Sequence, residues 1–201
     1  MALIFRYGCM GGGKSLQLLA LAYNLEMEHI PFVVLKSEID DRDGEDTIHS
    51  RAIPGGRQCI TVKKNDNIVK MYENLLKNPD TYVEYILIDE VQFLTVEQIE
   101  QLAYIVDNYG IDIYCYGLKT DFRTKLFPAA QRLFEIADKF EEIESYCNYN
   151  GSNKTMFNAR IDSNGNIVRK GEQIEVGGDD RYKAMSRLEY FTRTNLYNKF
   201  E

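Results

Sequence analysis

The sequence predicts an α/β fold: a mostly parallel sheet flanked by helices, followed by a small loop-rich C-terminal lobe. Three observations predict it. Short apolar runs at Leu3–Tyr7, Pro31–Leu35, Tyr85–Ile88 and Ile111–Tyr116 are separated by stretches with helical spacing. The runs from Pro31 and Tyr85 are unbroken rather than alternating, as strands buried on both faces require. Beyond about Tyr146, glycine and asparagine become frequent and the strand–helix alternation stops.

Taken in order, the first strand runs straight into a glycine loop, Gly8–Gly13, and then into a helix over Ser15–Glu28. Leu18, Leu19, Ala22 and Leu25 fall on one face of that helix. After the Pro31 strand, Asp66–Lys77 places Ile68, Met71, Leu75 and Leu76 at helical spacing. The Tyr85 strand ends in Asp89-Glu90. Thr95 with Gln98 three residues on fits a capping box, and Ile99, Leu102, Ala103 and Val106 carry the stripe to Gly110. Phe127-Pro128 opens a helix expected to end near Lys139. Asn164-Gly165, between Arg160-Ile161 and Ile167-Val168, signals a hairpin. Gly171–Tyr182 reads as an ordered loop. The expected division is 1–145 for the α/β domain, 146–192 for the small lobe and 193–201 for a tail.

Composition narrows the class. Among 201 residues 44% are apolar, enough for a true core, which excludes a disordered chain. Net charge is −7 with no basic stripe, which argues against a nucleic-acid partner. No apolar run is long enough to span a membrane. The four cysteines, at 9, 59, 115 and 147, form no close pair, and no basic leader precedes the glycine loop. Both features predict a reducing, cytoplasmic location.

The chemistry is concentrated in Gly8-Cys9-Met10-Gly11-Gly12-Gly13-Lys14-Ser15, a complete GxxxxGKS pattern with a strand before it and a helix after. Glycines let backbone N–H groups approach phosphate oxygens, and the helix start supplies unpaired donors. Lys14 is expected on the β- and γ-phosphates and Ser15 on Mg²⁺. The apolar strand ending in Asp89 supplies the second expected Mg²⁺ ligand. Together they predict a P-loop NTPase-type fold that binds a nucleoside triphosphate with Mg²⁺.

Five motifs in order then resemble the cytosolic, zinc-bearing (type II) thymidine kinase family. They are Gly8-x-Met10-x-x-Gly13-Lys14-Ser15, Asp40-Asp41-Arg42, Asp89-Glu90-Val91-Gln92-Phe93, Gly117-Leu118-Lys119-x-Asp121-Phe122-Arg123, and Gly177-Gly178-x-x-x-Tyr182. The resemblance covers roughly Leu3 to Phe191. It implies transfer of the γ-phosphoryl of ATP to the 5′-hydroxyl of thymidine, with Glu90 accepting the proton. It further implies that Val91 and Gln92 belong to the ATP-contacting segment and that Asp40 and Arg42 face the phosphates. A surface ion pair in the acidic loop Glu38–Asp46 is the other reading of those two residues. Phe122 is implied on the nucleoside, with a plain core role as the alternative. A loop of Gln173, Ile174, Glu175, Val176 and Gly177, with Tyr182, is implied over the base. Arg160 matches a family arginine in the same lobe. Homotetramers and inhibition by thymidine triphosphate are also implied.

The sequence departs from the family at two places. Gly12 stands where the family commonly has serine. Of the family's two cysteine pairs for structural zinc, the first reads Cys147-Asn148-Tyr149-Asn150, and the second falls on Ser186 and Glu189. One thiolate with Asn, Ser and Glu is not a tetrahedral zinc set, so no structural zinc is expected. Packing among Tyr146, Tyr149, Phe157, Ile161, Tyr190 and Phe191 is the expected substitute. Two other functions stay open: a kinase for another deoxynucleoside, and a non-catalytic nucleotide-binding module.

Overall fold

The chain is described here by a computed structural model covering residues 1–39, 46–50, 53–78, 81–150, 152–173 and 181–200. β1 (Ala2–Gly8) leads through the glycine loop into α1 (Lys14–Met27), then β2 (Phe32–Ser37), β3 (Thr47–Ser50), β4 (Ile53–Gln58) and β5 (Ile60–Val62). Next come α2 (Ile68–Leu75), β6 (Tyr85–Asp89), a 3-10 turn at Val91–Phe93, α3 (Val96–Tyr109) and β7 (Asp112–Gly117). α4 (Pro128–Ile136) and β8 (Lys139–Ile143) complete the α/β part. Among the described residues, six strands form the main sheet in the order β5-β2-β6-β7-β1-β8, and every neighbouring pair is parallel.

Period-two side-chain alternation divides the core. Leu3 and Phe5 of β1, Ile86 and Ile88 of β6, and Ile113 and Cys115 of β7 face α3 and α4 with Ile99, Leu102, Val106 and Leu133. Leu87 and Tyr116 face the other way, onto Leu18, Leu19, Ala22 and Leu25 of α1. The predicted α1 stripe is therefore the buried one. α3 begins with the predicted capping box: Thr95 Oγ1 accepts from Gln98 N, and Gln98 Oε1 accepts from Thr95 N. It ends at Gly110, whose φ of 69° suits a left-handed cap. In α2 the buried residues are Ile68 and Tyr72; Met71 and Leu76 lie at the edge of the core rather than at its centre.

Two expectations need correction. α4 stops at Ile136, and Lys139–Ile143 is an edge strand paired to β1, not the end of the helix. Its sequence, Lys-Phe-Glu-Glu-Ile, hides this because an edge strand takes backbone bonds from one neighbour while charged side chains remain in water. The Asn164-Gly165 signal does give a tight turn, with Gly165 N bonded to Asp162 O, but only one bridge, Ile161 to Ile167, follows. The longer partner of β11 (Phe157–Arg160) is β12 (Tyr182–Met185), which starts at the last residue of the expected loop.

The lobe also holds the hairpin β9 (Tyr146–Asn148) with β10 (Ser152–Lys154), and α5 (Arg187–Arg193). Its small core is Ala159, Met185 and Tyr190 with Phe157, Ile161, Phe191 and Leu196 against them. Tyr146 is exposed and Tyr149 lies outside this cluster, so four of the six aromatic and apolar residues expected to pack there do so. Ser186 caps α5 by accepting from Glu189 N at 3.1 Å. The buried Glu189 carboxylate meets Lys183 and Arg193, each at 3.3 Å.

Candidate active site

β1 delivers the chain at the carboxyl end of the sheet, where the glycine loop turns it into α1. Gly11 and Gly13 take φ of 69° and 86°, conformations that a side chain would strain. Gly13 is the N-cap of α1, and no side chain caps that helix. Its first N–H groups, with the positive end of the helix dipole, are thus left to an anionic ligand. Lys14 is buried and its Nζ donates to Cys9 O at 3.0 Å, folded along the loop it is expected to serve.

β6 ends beside this loop. Asp89 is 3% exposed, and its Oδ2 accepts from Ser15 Oγ at 2.8 Å. Burial, then the neighbouring Glu90 carboxylate, push the Asp89 carboxyl up to about 7, against the Ser15 hydrogen bond and the Lys14 charge. Two oxygen donors meeting at the end of the phosphate loop suit Mg²⁺, which takes one or two protein oxygens and completes its shell with phosphates and water. A cation there would also relieve the repulsion between Asp89 and Glu90. Among the described residues no group of three or more His, Cys, Asp or Glu side chains forms a closed metal cage.

Glu90 sits at φ 48°, left-handed, where β6 breaks into the 3-10 turn. That backbone reversal turns its side chain away from the strand's alternation. Gln92 Nε2 donates to Glu90 Oε2 at 2.5 Å, and Gln92 Oε1 accepts from Leu118 N at 2.8 Å. One buried carboxamide therefore ties the Glu90 carboxylate to the end of β7. A Cβ on Gly117 would stand 2.5 Å from Gln92 Oε1, so glycine at this position makes room for the tie. Gln92, expected in the ATP-contacting segment, bonds protein at both ends of its side chain.

A second cluster stands at the junction with the lobe. The Phe122 ring is buried, with the Arg160 guanidinium over it at 3.9 Å. Arg160 Nε and Nη2 both donate to Tyr182 Oη, at 3.0 and 2.8 Å, and Nη2 also donates to Glu172 O. Asp121 holds the adjoining turn, accepting from Arg123 and Lys125 N–H groups and from Gln173 Nε2 at 3.2 Å. Tyr190 Oη donates to Phe122 O at 2.8 Å. The structure thus brings Phe122 and Tyr182 together on Arg160, with Gln173 held beside them on Asp121.

Asp40 and Arg42 lie outside the described residues, as do Ile174, Glu175, Val176 and Gly177. Cys9, Met10 and Gly12 lie in the loop between β1 and α1, and Val91 of the 3-10 turn is a core residue. Two contributors were not assigned a role from sequence. Asp121 anchors the turn before Phe122, and Asn158 of β11 accepts from Met10 N at 2.8 Å. An asparagine in a short strand carries no sequence signal, since its partner is 148 positions away.

A parallel sheet carrying a phosphate loop at its carboxyl end, with an acidic pair beside the loop, defines a P-loop nucleotide-binding protein of the α/β class. Comparison with known proteins takes this further. A family model for thymidine kinase matches residues 1–190. The thymidine kinase of Listeria innocua is 39% identical over 185 residues, 92% of this chain and 94% of the relative. That of Pasteurella multocida is 38% identical over 188 residues, covering 94% and 95%. That of Lactobacillus acidophilus is 37% identical over 193 residues, covering 94% and 96%. The chain belongs to the thymidine kinase family.

Proposed function

We propose that the protein phosphorylates thymidine at its 5′-hydroxyl with Mg-ATP, giving thymidine 5′-monophosphate for DNA precursor salvage. The observation that carries this reading is the Ser15–Asp89 hydrogen bond, with Glu90 next in sequence and held by Gln92. The loop amides and Lys14 bind the β- and γ-phosphates. Bound Mg²⁺ neutralises charge on the transferring phosphoryl, and Ser15 and Asp89 are the residues that would hold it. Glu90 accepts the proton of the 5′-hydroxyl; its fixed carboxylate loses no freedom when the acceptor arrives. Phe122, with Arg160 behind it, is the flat wall for the base, and Tyr182 and Gln173 border it. Asp40 and Arg42 are proposed on the phosphates and residues 174–177 over the base.

The reading extends to a two-part chain, 1–145 for ATP and 146–192 closing over the nucleoside, with 193–201 as a tail. No structural zinc is proposed: Ser186 is engaged as a helix cap and Glu189 in ion pairs. Inhibition by thymidine triphosphate follows, because that molecule carries the base for one site and phosphates for the other. A homo-oligomer, tetrameric by family resemblance, is supported by the α1 side of the sheet. There Phe32, Tyr85 and Tyr114 stay half-buried, and Tyr23 and Met27 are exposed. A cytoplasmic location is supported by the free thiols of Cys9, Cys115 and Cys147.

The test is thymidine phosphorylation by wild type beside Glu90→Gln. Conversion by wild type with a loss of about a hundredfold in the variant is the expected result. Full activity in Glu90→Gln overturns the proton-acceptor assignment. No conversion by protein that binds ATP overturns the acceptor.

A further inference from the structure

The front of the phosphate loop is held from the C-terminal lobe. Met10, third residue of the Gly8–Ser15 motif, donates its backbone N–H to Asn158 Oδ1 at 2.8 Å. Inside the loop Cys9 O accepts from Gly12 N and from Lys14 Nζ. Asn158 is 4% exposed, so an unpaired donor facing it would lack water to compensate. Ser145 backs the same turn. Its hydroxyl pairs with that of Thr155 and lies 3.4 Å from where a Cβ on Gly12 would stand.

β11 joins this contact to the wall at Phe122. Residues two apart in a strand share a face. Phe157 and Ala159 turn into the lobe's small core. Asn158 and Arg160 turn the other way. Asn158 reaches the phosphate loop, and Arg160 reaches the Phe122 ring and the Tyr182 hydroxyl. One four-residue strand therefore places a side chain at each of the two sites.

We propose that Asn158 is a positioning residue for ATP, acting through the Met10 N–H to set the turn of the phosphate loop and coupling triphosphate binding to the seating of the nucleoside. The residue type fits the task. A carboxamide oxygen accepts the N–H without placing negative charge beside a polyphosphate, whereas a carboxylate would add it. If thymidine steadies β11 and so the loop, ATP must favour thymidine by the same factor, since binding coupling is reciprocal. The proposal rests on the kinase reading above.

The test measures binding of a non-hydrolysable ATP analogue with Mg²⁺, with and without thymidine, in wild type, Asn158→Leu and Asn158→Asp. In wild type, thymidine tightens the analogue by about fivefold or more. Asn158→Leu weakens the analogue about tenfold, leaves thymidine binding alone within about twofold, and removes the coupling. Asn158→Asp keeps the acceptor, so the Met10 amide stays protected from hydrogen exchange, while the analogue binds more weakly in a way that added salt reduces. Should the leucine variant not fold, Asn158→Ala carries the same test, with Met10 exchange reporting loss of the contact. Wild-type analogue affinity and coupling in the leucine or alanine variant overturn the proposal. So does equal weakening of both ligands, which marks a general loss of structure. Failure of the wild type itself to bind the analogue overturns the kinase reading and the proposal with it.

Discussion

Ser15 Oγ donates to Asp89 Oδ2 at 2.8 Å, joining the end of the phosphate loop to the end of β6. The two strands that feed this contact, β1 and β6, are not neighbours; β7 lies between them. The pair therefore records the register of both strands against β7. It also keeps a buried carboxylate beside Glu90, at a cost that a bound cation would offset.

That cost has a pH signature in metal-free protein. Asp89 titrates at about 7 in the folded chain and near its ordinary value of 3.8 when unfolded. The folded state then holds a proton that the unfolded state has released. Stability from this group is complete below about pH 4 and is lost as pH rises through about 7. Asp89→Asn stays neutral and still accepts from Ser15. The variant should match wild type near pH 4 and exceed it by on the order of 5 °C in Tm at pH 8, while activity falls about a hundredfold. Parallel Tm profiles for the two proteins across that range would defeat the assignment.

Glu90 is expected to depend on Gly117 through Gln92. Gly117→Ala drives a Cβ into Gln92 Oε1, and Gln92→Leu removes the same carboxamide. Each should lower kcat by about tenfold or more with little change in the KM for thymidine. Because both act through one side chain, the double variant should be no worse than the poorer single. Additive losses in the double variant would show that Gly117 acts elsewhere.

Much of this was legible in the sequence, for reasons specific to each element. α1 and α3 could be read because their buried stripes, cap and terminal glycine are local signals. The meeting of Ser15 with Asp89 could be read because a complete phosphate-loop pattern, followed by an apolar strand ending in an acid, marks both partners of that hydrogen bond. β8 could not be read, since an exposed edge strand needs no apolar run. The positions at Ser186 and Glu189 could be read as departures from a zinc site, but not as a helix start. The ion pairs of the buried Glu189 carboxylate are visible only once Lys183 and Arg193 are placed beside it. The Asn158–Met10 contact was invisible because nothing local marks a partner at that separation.

If those contacts now hold the lobe, it should be indifferent to chelators. Zinc should be absent from purified protein, and a strong chelator should leave Tm unchanged. Ser186→Ala should cost about 1 kcal/mol as a lost helix cap. Glu189→Gln should cost about 1–2 kcal/mol, since its partners are partly solvated. Denaturant unfolding at pH 7 reads both. A Tm that drops with chelator, or one zinc per chain by metal analysis, would restore the zinc site.

Arg160 separates stacking from charge at the proposed nucleoside wall. Its planar guanidinium lies over Phe122 while two of its nitrogens meet the Tyr182 hydroxyl. Lysine keeps the charge but has no planar group to stack and no fork to meet one oxygen twice. Arg160→Lys should therefore raise the KM for thymidine about tenfold. The KM for ATP should change far less, because the Asn158 contact to the phosphate loop is a separate side chain on the same strand. Tyr182→Phe removes only the hydroxyl and should give a smaller rise, about threefold. Steady-state kinetics with each substrate varied in turn distinguishes these outcomes. An Arg160→Lys enzyme with wild-type thymidine kinetics would mean that the stacked guanidinium braces the lobe without shaping the base site.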